Sequence, residues 1–311
     1  MRPVYSVIVP CYNEEAVLHE THKRLTQVLS QMGESYEIVY INDGSRDKTP
    51  DILRELAAQD SHVRAVMFAR NAGHQLAVTA GLDYATGDAI VIIDADLQDP
   101  PELIPQMAEK WKSGVQVVFA QRNHRAGETA FKKITASAYY KLLNSLTGGM
   151  VPRDTGDFRL VDRQVADVVR SMPEHNRFLR GMFAWVGFKQ EAILYDRDKR
   201  FAGETHYPLK KMLKLAADGV FSFSVKPLKA ITALGLALLG AGCVAFLALL
   251  ILLLCGVGGG LWWLAALGAF LTGCTVSCLG IVGEYIARIY DESRGRPLYI
   301  VGEALGFDEN K

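Results

Sequence analysis

Between Ile231 and Gly283 the sequence contains no Asp, Glu, Lys or Arg. No other feature narrows the fold so sharply. The stretch divides into two apolar runs, ITALGLALLGAGCVAFLALLILLL (Ile231–Leu254) and LWWLAALGAFLTGCTVSCLGIVG (Leu261–Gly283). Each exceeds the roughly 20 residues a helix needs to cross a hydrocarbon core of ~30 Å. The short CGVGGG between them reads as a tight, flexible connection. The pattern predicts a helical hairpin that crosses a membrane and returns. The alternative, a buried helical pair in a soluble protein, fits two such runs around a glycine loop less well. Lys226 and Lys229 precede the first run, and Arg288, Arg294 and Arg296 follow the second. The excess of positive charge at both ends places them in the cytoplasm, with Trp262 and Trp263 at an interfacial belt. The expected location is therefore the inner (plasma) membrane, multi-pass, with the rest of the chain cytoplasmic. The amino terminus, MRPVYSVIVPCYNEE, has too short an apolar run for a signal peptide.

Just upstream, YPLKKMLKLAADGVFSF puts Leu209, Met212, Leu213 and Ala216 on one helical face and Lys210, Lys211 and Lys214 on another. Beside a membrane span, that reads as an amphipathic helix among lipid headgroups. The 311 residues carry 34 basic and 34 acidic side chains, so net charge gives no reason to expect nucleic acid as a partner. Of the cysteines, Cys243, Cys255, Cys274 and Cys278 lie in the apolar stretch, with only Cys11 outside it. Neither a disulfide framework nor a zinc-type pairing is indicated.

The first two thirds of the chain alternate in period. YSVIVP, YEIVYIND, VRAVMFAR and AIVIID are strand-like, and EEAVLHETHKRLTQVLSQM, TPDILRELAAQ and HQLAVTAGLDYA between them have helical spacing. Such alternation predicts an α/β domain with a mainly parallel sheet. Ligands of such sheets bind beyond the carboxyl ends of the strands. Polar groups collect at those ends: Pro10, Tyr12, Asn13 and Glu14 after the first strand, Asn42, Asp43, Gly44 and Ser45 after the second, Arg70, Asn71 and His74 after the third, and Asp94, Ala95, Asp96, Gln98 and Asp99 after the fourth. One such cluster is ordinary turn chemistry. Four on one rim point to a site. The phosphate-cradling patterns GxxxxGK[ST] and GxGxxG are absent.

VIVPCYNEE, YINDGSRDKT, FARNAGHQLAVTAGLDYATGD, DADLQDPPE and TGDFRL resemble the motif series of family 2 glycosyltransferases. With DRDKRFAGETHYPLKKML and the apolar tail, the chain is similar to the polyprenyl-phosphate glycosyltransferase group within that family, which includes bactoprenol glucosyltransferases and dolichol-phosphate mannosyltransferases. The resemblance implies a GT-A-type nucleotide-sugar-binding domain over residues 1–205, an interfacial region over 206–228, two transmembrane helices over 229–286 and a cytosolic tail over 287–311. It implies a Mg²⁺ or Mn²⁺ ion held by Asp94, Asp96 and Gln98. It places Pro10, Tyr12, Asn13, Glu14, Asp43, Asp94, Ala95 and Asp96 around the nucleotide-sugar. A carboxylate such as Asp43 can accept from a uracil imide N–H, or else can hold the turn at Gly44. His74 either joins the site or steadies a loop, and Asp99 either joins it or starts the turn into Pro100.

A lipid-phosphate acceptor needs cations near the membrane, and arginine suits phosphate. The resemblance selects Arg122, Lys133, Ser137 and Arg200. Asp157 stands where many members carry an acidic catalytic residue. A phosphomonoester has its second pKa near ~6 and is largely ionised already, so no strong base is required. Asp157 therefore takes a proton, orients an arginine such as Arg122 or Arg200, or holds the sugar. Asp157, Asp96, Arg122 and Arg200 form the expected catalytic set. The QxxRW pattern of processive synthases is absent, which argues against chain elongation.

The expected reaction is inverting transfer of one sugar, glucose from a UDP-sugar donor, to polyprenyl (undecaprenyl) phosphate. GDP-mannose or a UDP-aminosugar is the alternative donor, and a non-catalytic nucleotide-sugar-binding membrane protein is the remaining rival. Small residues in the spans, as in GLALLGAG, permit close packing within the hairpin or in a homo-oligomer.

Overall fold

The computed structural model describes residues 2–122, 155–196, 226–256 and 260–307. These form two compact units, one comprising residues up to 216 together with 296–311, the other 217–295.

The first unit is built on an eight-stranded mixed sheet. β1 (Tyr5–Cys11), β2 (Tyr36–Asn42), β3 (Val63–Phe68) and β4 (Ala89–Ile92) run parallel, joined by α1 (Leu18–Met32), α2 (Thr49–Gln59) and α3 (His74–Tyr84). β1 is buried along its whole length and lies between β2 and β4. Its position explains its composition, because a strand covered on both faces needs apolar residues without alternation. The chain leaves β1 towards β2 and β3 and later returns on the other side of β1 as β4. The carboxyl ends of β1 and β4 therefore flank a topological switch point, where such sheets bind ligands.

After α4 (Ile104–Lys112), β5 (Val117–Arg122), β6 (Thr155–Asp162), α5 (Arg163–Ser171), α6 (Leu179–Trp185) and β7 (Gln190–Tyr195) complete that side. β6 inserts between β4 and β5, antiparallel to both. Its pairing of Arg159 with Ile92, continued by two residues, brings Asp157 level with Asp94. β4 and β5 both run antiparallel to β6 and are therefore parallel to each other, so β5 ends in Arg122 on the same side of the sheet as the rim.

Both apolar runs fold as helices, α7 (Lys226–Leu254) and α8 (Gly260–Ser293). Within that unit the two pack together, with Gly242 facing Leu271. Among the described residues, Phe270–Ser293 is long and apolar enough to cross a membrane, and Ala233–Ala248 is a shorter apolar segment. The amphipathic stretch expected over 206–228 lies outside the described residues except for its last three, which open α7.

The stretch expected as a cytosolic tail, 287–311, contains regular structure. α8 continues to Ser293, and Val301–Leu305 forms β8, pairing antiparallel with the edge strand β3. Aromatic anchors outside the strand hold it there. Tyr299 stacks on Phe68 with ring centroids 5.0 Å apart and donates to Asp83 at 2.8 Å. Phe307 meets Tyr84 and lies under the Arg64 guanidinium. Arg54 on α2 makes a forked contact with Glu303.

Candidate active site

The rim is assembled by loops that tie one another down. Asn13 sits in the left-handed region (φ 57°). Its amide donates to Ser45 Oγ at 2.9 Å, and its side-chain oxygen accepts from the Arg46 amide at 2.9 Å. Asn42 Oδ1 caps the turn by accepting from the Ser45 amide. The Glu14 amide donates to Thr49 Oγ1. Exchange of this kind between loops satisfies backbone groups that leave the sheet without a ladder partner.

Asp43 is buried, and its carboxylate holds the loop after β3. It accepts from the Ala72 amide (2.6 Å), the Gly73 amide (3.0 Å) and Asn71 Nδ2 (2.9 Å). Burial raises its pKa, against which the Ala72 and Gly73 amides and His74 pull down. These contacts give Asp43 a turn role that extends to the start of α3, beside the nucleotide-facing role expected of it. Gly44 permits the arrangement, because a Cβ there would lie 2.6 Å from the Asn71 amide nitrogen.

Beside these loops lies a cleft of about 560 Å³ whose lining includes Tyr12, Arg46, Phe68, Arg70 and Glu303. Tyr12 presents its ring here, which accounts for an exposed aromatic at a strand end. Glu303 belongs to β8, so the carboxyl-terminal strand forms part of the cleft wall.

Across the switch point stands a chain of alternating charges. His74, the first residue of α3, places Nε2 2.9 Å from Asp94 Oδ1 and Nδ1 4.0 Å from Asp157 Oδ2. Burial pushes the imidazole pKa down, but Asp94 and Asp157 outweigh it and raise it to about 9. Arg180, in the first turn of α6, grips Asp157 with Nε at 2.7 Å and Nη2 at 2.9 Å. Burial would raise the Asp157 pKa, but Arg180, His74 and Arg159 together hold it well below the usual carboxylate range. Arg159 is 5% exposed and packs over the Phe183 ring, donating to the Gly156 and Asp157 carbonyls. Burial lowers its pKa to about 10 despite the neighbouring Asp157.

In the acidic turn after β4, Asp96 is buried, and its Oδ1 accepts from the Gln98 amide at 3.1 Å. Leu97 between them adopts φ 56°, a conformation costly for a branched side chain. The left-handed conformation at Leu97 turns the chain back, which brings the Gln98 amide to the Asp96 carboxylate. Asp99 is 1% exposed and accepts from the Tyr195 hydroxyl of β7. It thereby anchors the turn to the far side of the sheet.

The structure thus brings Asp94 and Asp157 together through His74. Lys133, Ser137 and Arg200 lie outside the described residues, as does the Arg122 side chain. Among the described residues, the arginine that forks onto Asp157 is Arg180, which is not in the expected catalytic set. PEHNRFLRG around it carries no motif, and neighbouring Arg177 is structural, donating to the Glu174, Val169 and Met172 carbonyls at the end of α5. A largely sheltered carboxylate such as Asp157 needs a cation, but the sequence does not say which one.

The chain is 52% identical to the uncharacterized glycosyltransferase YkcC of Bacillus subtilis, over 99% of this chain and 95% of that protein. It is 39% identical to the prophage bactoprenol glucosyl transferase homolog of Escherichia coli, over 95% and 97% respectively. A crystal structure of glucosyl-3-phosphoglycerate synthase from Mycobacterium tuberculosis, with Mn²⁺, UDP-glucose and phosphoglyceric acid, aligns at 20% identity and a TM-score of 0.47, covering 70% of this chain and 78% of that one. The family model for glycosyl transferase family 2 matches residues 6–170, which include all four parallel strand ends, the acidic turn and Asp157. This chain belongs to glycosyltransferase family 2 and is a glycosyltransferase.

Proposed function

We propose that the enzyme transfers a single sugar, glucose from UDP-glucose, to a polyprenyl phosphate of the undecaprenyl type at the cytoplasmic face of the membrane. The products are polyprenyl-phosphate-sugar and UDP. The observation that carries this reading is the union, in one chain, of the charged rim at the switch point with two long helices that carry no charged residue between Ile231 and Gly283. Near-full-length relatives named bactoprenol glucosyl transferase support it, including that of Shigella phage SfV at 38% identity. In this reading α7 and α8 form a transmembrane hairpin, and both its ends are cytoplasmic.

The donor nucleotide occupies the cleft at Tyr12, bounded by Pro10, Asn13, Glu14 and the loop that Asp43 holds. Its sugar extends towards Asp94, Ala95 and Asp96. The acidic turn suits Mg²⁺ or Mn²⁺. No cluster of three or more His, Cys, Asp or Glu side chains able to hold a metal occurs among the described residues. In this reading Asp94, Asp96 and the Gln98 side-chain oxygen would hold such an ion in part, leaving water and phosphate oxygens to complete its shell. When bound, the ion would neutralise charge on the departing diphosphate. Arg122 ends β5 at the rim edge and, with Lys133, Ser137 and Arg200, is assigned to the acceptor phosphate.

The test is transfer by the full-length protein from labelled UDP-glucose to polyprenyl phosphate with Mg²⁺ or Mn²⁺, with GDP-mannose and UDP-N-acetylglucosamine in parallel. A glycolipid from UDP-glucose is expected. Preference for another donor overturns the glucose assignment. UDP release without any glycolipid overturns the acceptor.

A further inference from the structure

The pair Asp157–Arg180 has a geometry that bears on how the reaction runs. Arg180 meets both carboxylate oxygens at once, at 2.7 and 2.9 Å, which fixes the plane of the carboxylate as well as its charge. The pair is largely sheltered, with the Asp157 side chain 15% exposed and that of Arg180 25%. Arg180 itself sits on a fixed mount. The Leu179 amide, which opens α6, donates to Gln75 Oε1 at 2.9 Å, and Gln75 follows His74 on α3. α6 is thus tied to the helix that presents His74 to Asp94. Behind the pair, buried Arg159 adds a second positive charge.

A carboxylate held in this way is a poor proton acceptor. Arg180, Arg159 and His74 all face it, and each favours its charged form. Yet an ionised carboxylate has about four acceptor positions, and the arginine fork uses one on each oxygen. What remains suits hydroxyl donors on the rim, the chemistry that a hexose presents.

We propose that Arg180 is a positioning residue for glycosyl transfer: it clamps Asp157 as a fixed acceptor for hydroxyl groups of the donor sugar and withdraws it from proton abstraction. This rests on the assignment of the donor sugar to the rim. It accords with an acceptor phosphate that arrives already ionised.

A double-mutant cycle on the full-length enzyme tests the proposal, with Arg180→Ala, Asp157→Asn and the double variant assayed for transfer, and UDP and UDP-glucose binding measured in parallel. Arg180→Ala is expected to lower kcat by about 100-fold, the scale of a misplaced catalytic group. UDP affinity, which involves no sugar, stays as in the wild type, whereas UDP-glucose affinity falls relative to that of UDP. The double variant is expected to be no slower than Asp157→Asn alone, because Arg180 acts through Asp157. Arg180→Lys keeps the charge but not the fork, and is expected to fall between wild type and alanine. If Arg180→Ala does not fold, the same cycle is run with Arg180→Lys. The proposal is overturned if either Arg180 variant retains wild-type kcat, if the two losses multiply, or if UDP affinity falls in step with UDP-glucose affinity. A wild type inert towards every donor would instead sink the reaction assigned above, and the UDP against UDP-glucose comparison would still decide the role of Arg180.

Discussion

If the carboxyl-terminal strand belongs to the catalytic domain, removing its anchor must cost stability and donor binding together. Tyr299 is that anchor. Its ring lies 5.0 Å from Phe68 at an interplanar angle of 10°, and its hydroxyl donates to Asp83 at 2.8 Å. Tyr299→Phe keeps the stack and removes the hydrogen bond, which costs about 1 kcal/mol. Tyr299→Ala also forfeits the ring. A stacked aromatic pair contributes about 0.5–1.5 kcal/mol beyond its buried area, and the lost area brings the total to about 3 kcal/mol, at the low end for an aromatic truncated to alanine. In a unit of this size, 1 kcal/mol moves the midpoint by about 2–4 °C, so the alanine variant is expected to melt about 6–12 °C lower and phenylalanine about 2–4 °C lower.

Function should follow in the same order. β8 supplies Gly302 and Glu303 to the cleft wall, and Arg54 bridges Glu303 back to α2. Loosening β8 opens that wall, so the donor KM is expected to rise in Tyr299→Ala and little in Tyr299→Phe. Thermal melts of purified full-length protein with and without UDP, and donor kinetics on the same samples, make the measurement. An alanine variant with wild-type melting temperature and donor KM would refute the argument and restore 287–311 to the status of a tail.

Three further expectations concern the rim. Asp157→Asn leaves two sheltered guanidinium groups facing a neutral amide, and breaking such a pair costs about 3 kcal/mol. Asp157 has a folded pKa below its unfolded value, so its own contribution is complete above about pH 4 and is lost as pH falls further; because Asp157 also raises the His74 pKa, melts should show a deficit that is fullest near about pH 5–6, declines as pH rises towards 9, and narrows again in stronger acid. Gly44→Ala places a Cβ 2.6 Å from a backbone nitrogen at φ 66°, and is expected to lower both melting temperature and UDP affinity, the backbone conformation alone costing about 1 kcal/mol or more. Asp96→Ala is expected to abolish the additional thermal shift that Mn²⁺ gives in the presence of UDP, and to slow transfer by at least about 100-fold, the scale of several kcal/mol of lost charge stabilisation.

The sequence made some of these features readable and hid others for physical reasons. Parallel strands buried on both faces leave an unbroken apolar signature, and β1 and β2 carry it plainly. Their ends could be located, and with them the polar rim. β6 was hidden because its place beside β4 depends on pairing across a long separation, and so the meeting of Asp157 with Asp94 and His74 was hidden too. β8 alternates half-buried and exposed residues and includes a glycine and a glutamate, so VGEAL looks like tail; its docking depends on Tyr299 and Phe307 outside it. Asp43 and Asp94 look alike in sequence, each a carboxylate following an apolar strand. Only the course of the loop after β3 separates them, because its amides turn towards Asp43 while the His74 ring turns towards Asp94.

The same division explains how a site rich in acids could suit the anionic donor and anionic acceptor proposed above. Asp43 and Asp99 have their carboxylates committed to N–H and O–H donors of the framework. At the switch point, Asp94 and Asp157 face His74, Arg180 and Arg159, which gives one more positive group than negative when His74 is protonated. The acids there do not repel a diphosphate on their own account. They hold cations in place, and sheltered cations with fixed positions stabilise developing negative charge more effectively than mobile surface ones. On this argument, neutralising Asp94 should harm transfer partly by releasing His74. Asp94→Asn can still accept a hydrogen bond from His74 and should therefore retain more UDP affinity than Asp94→Ala; equal losses in the two variants would show that Asp94 acts by its charge alone.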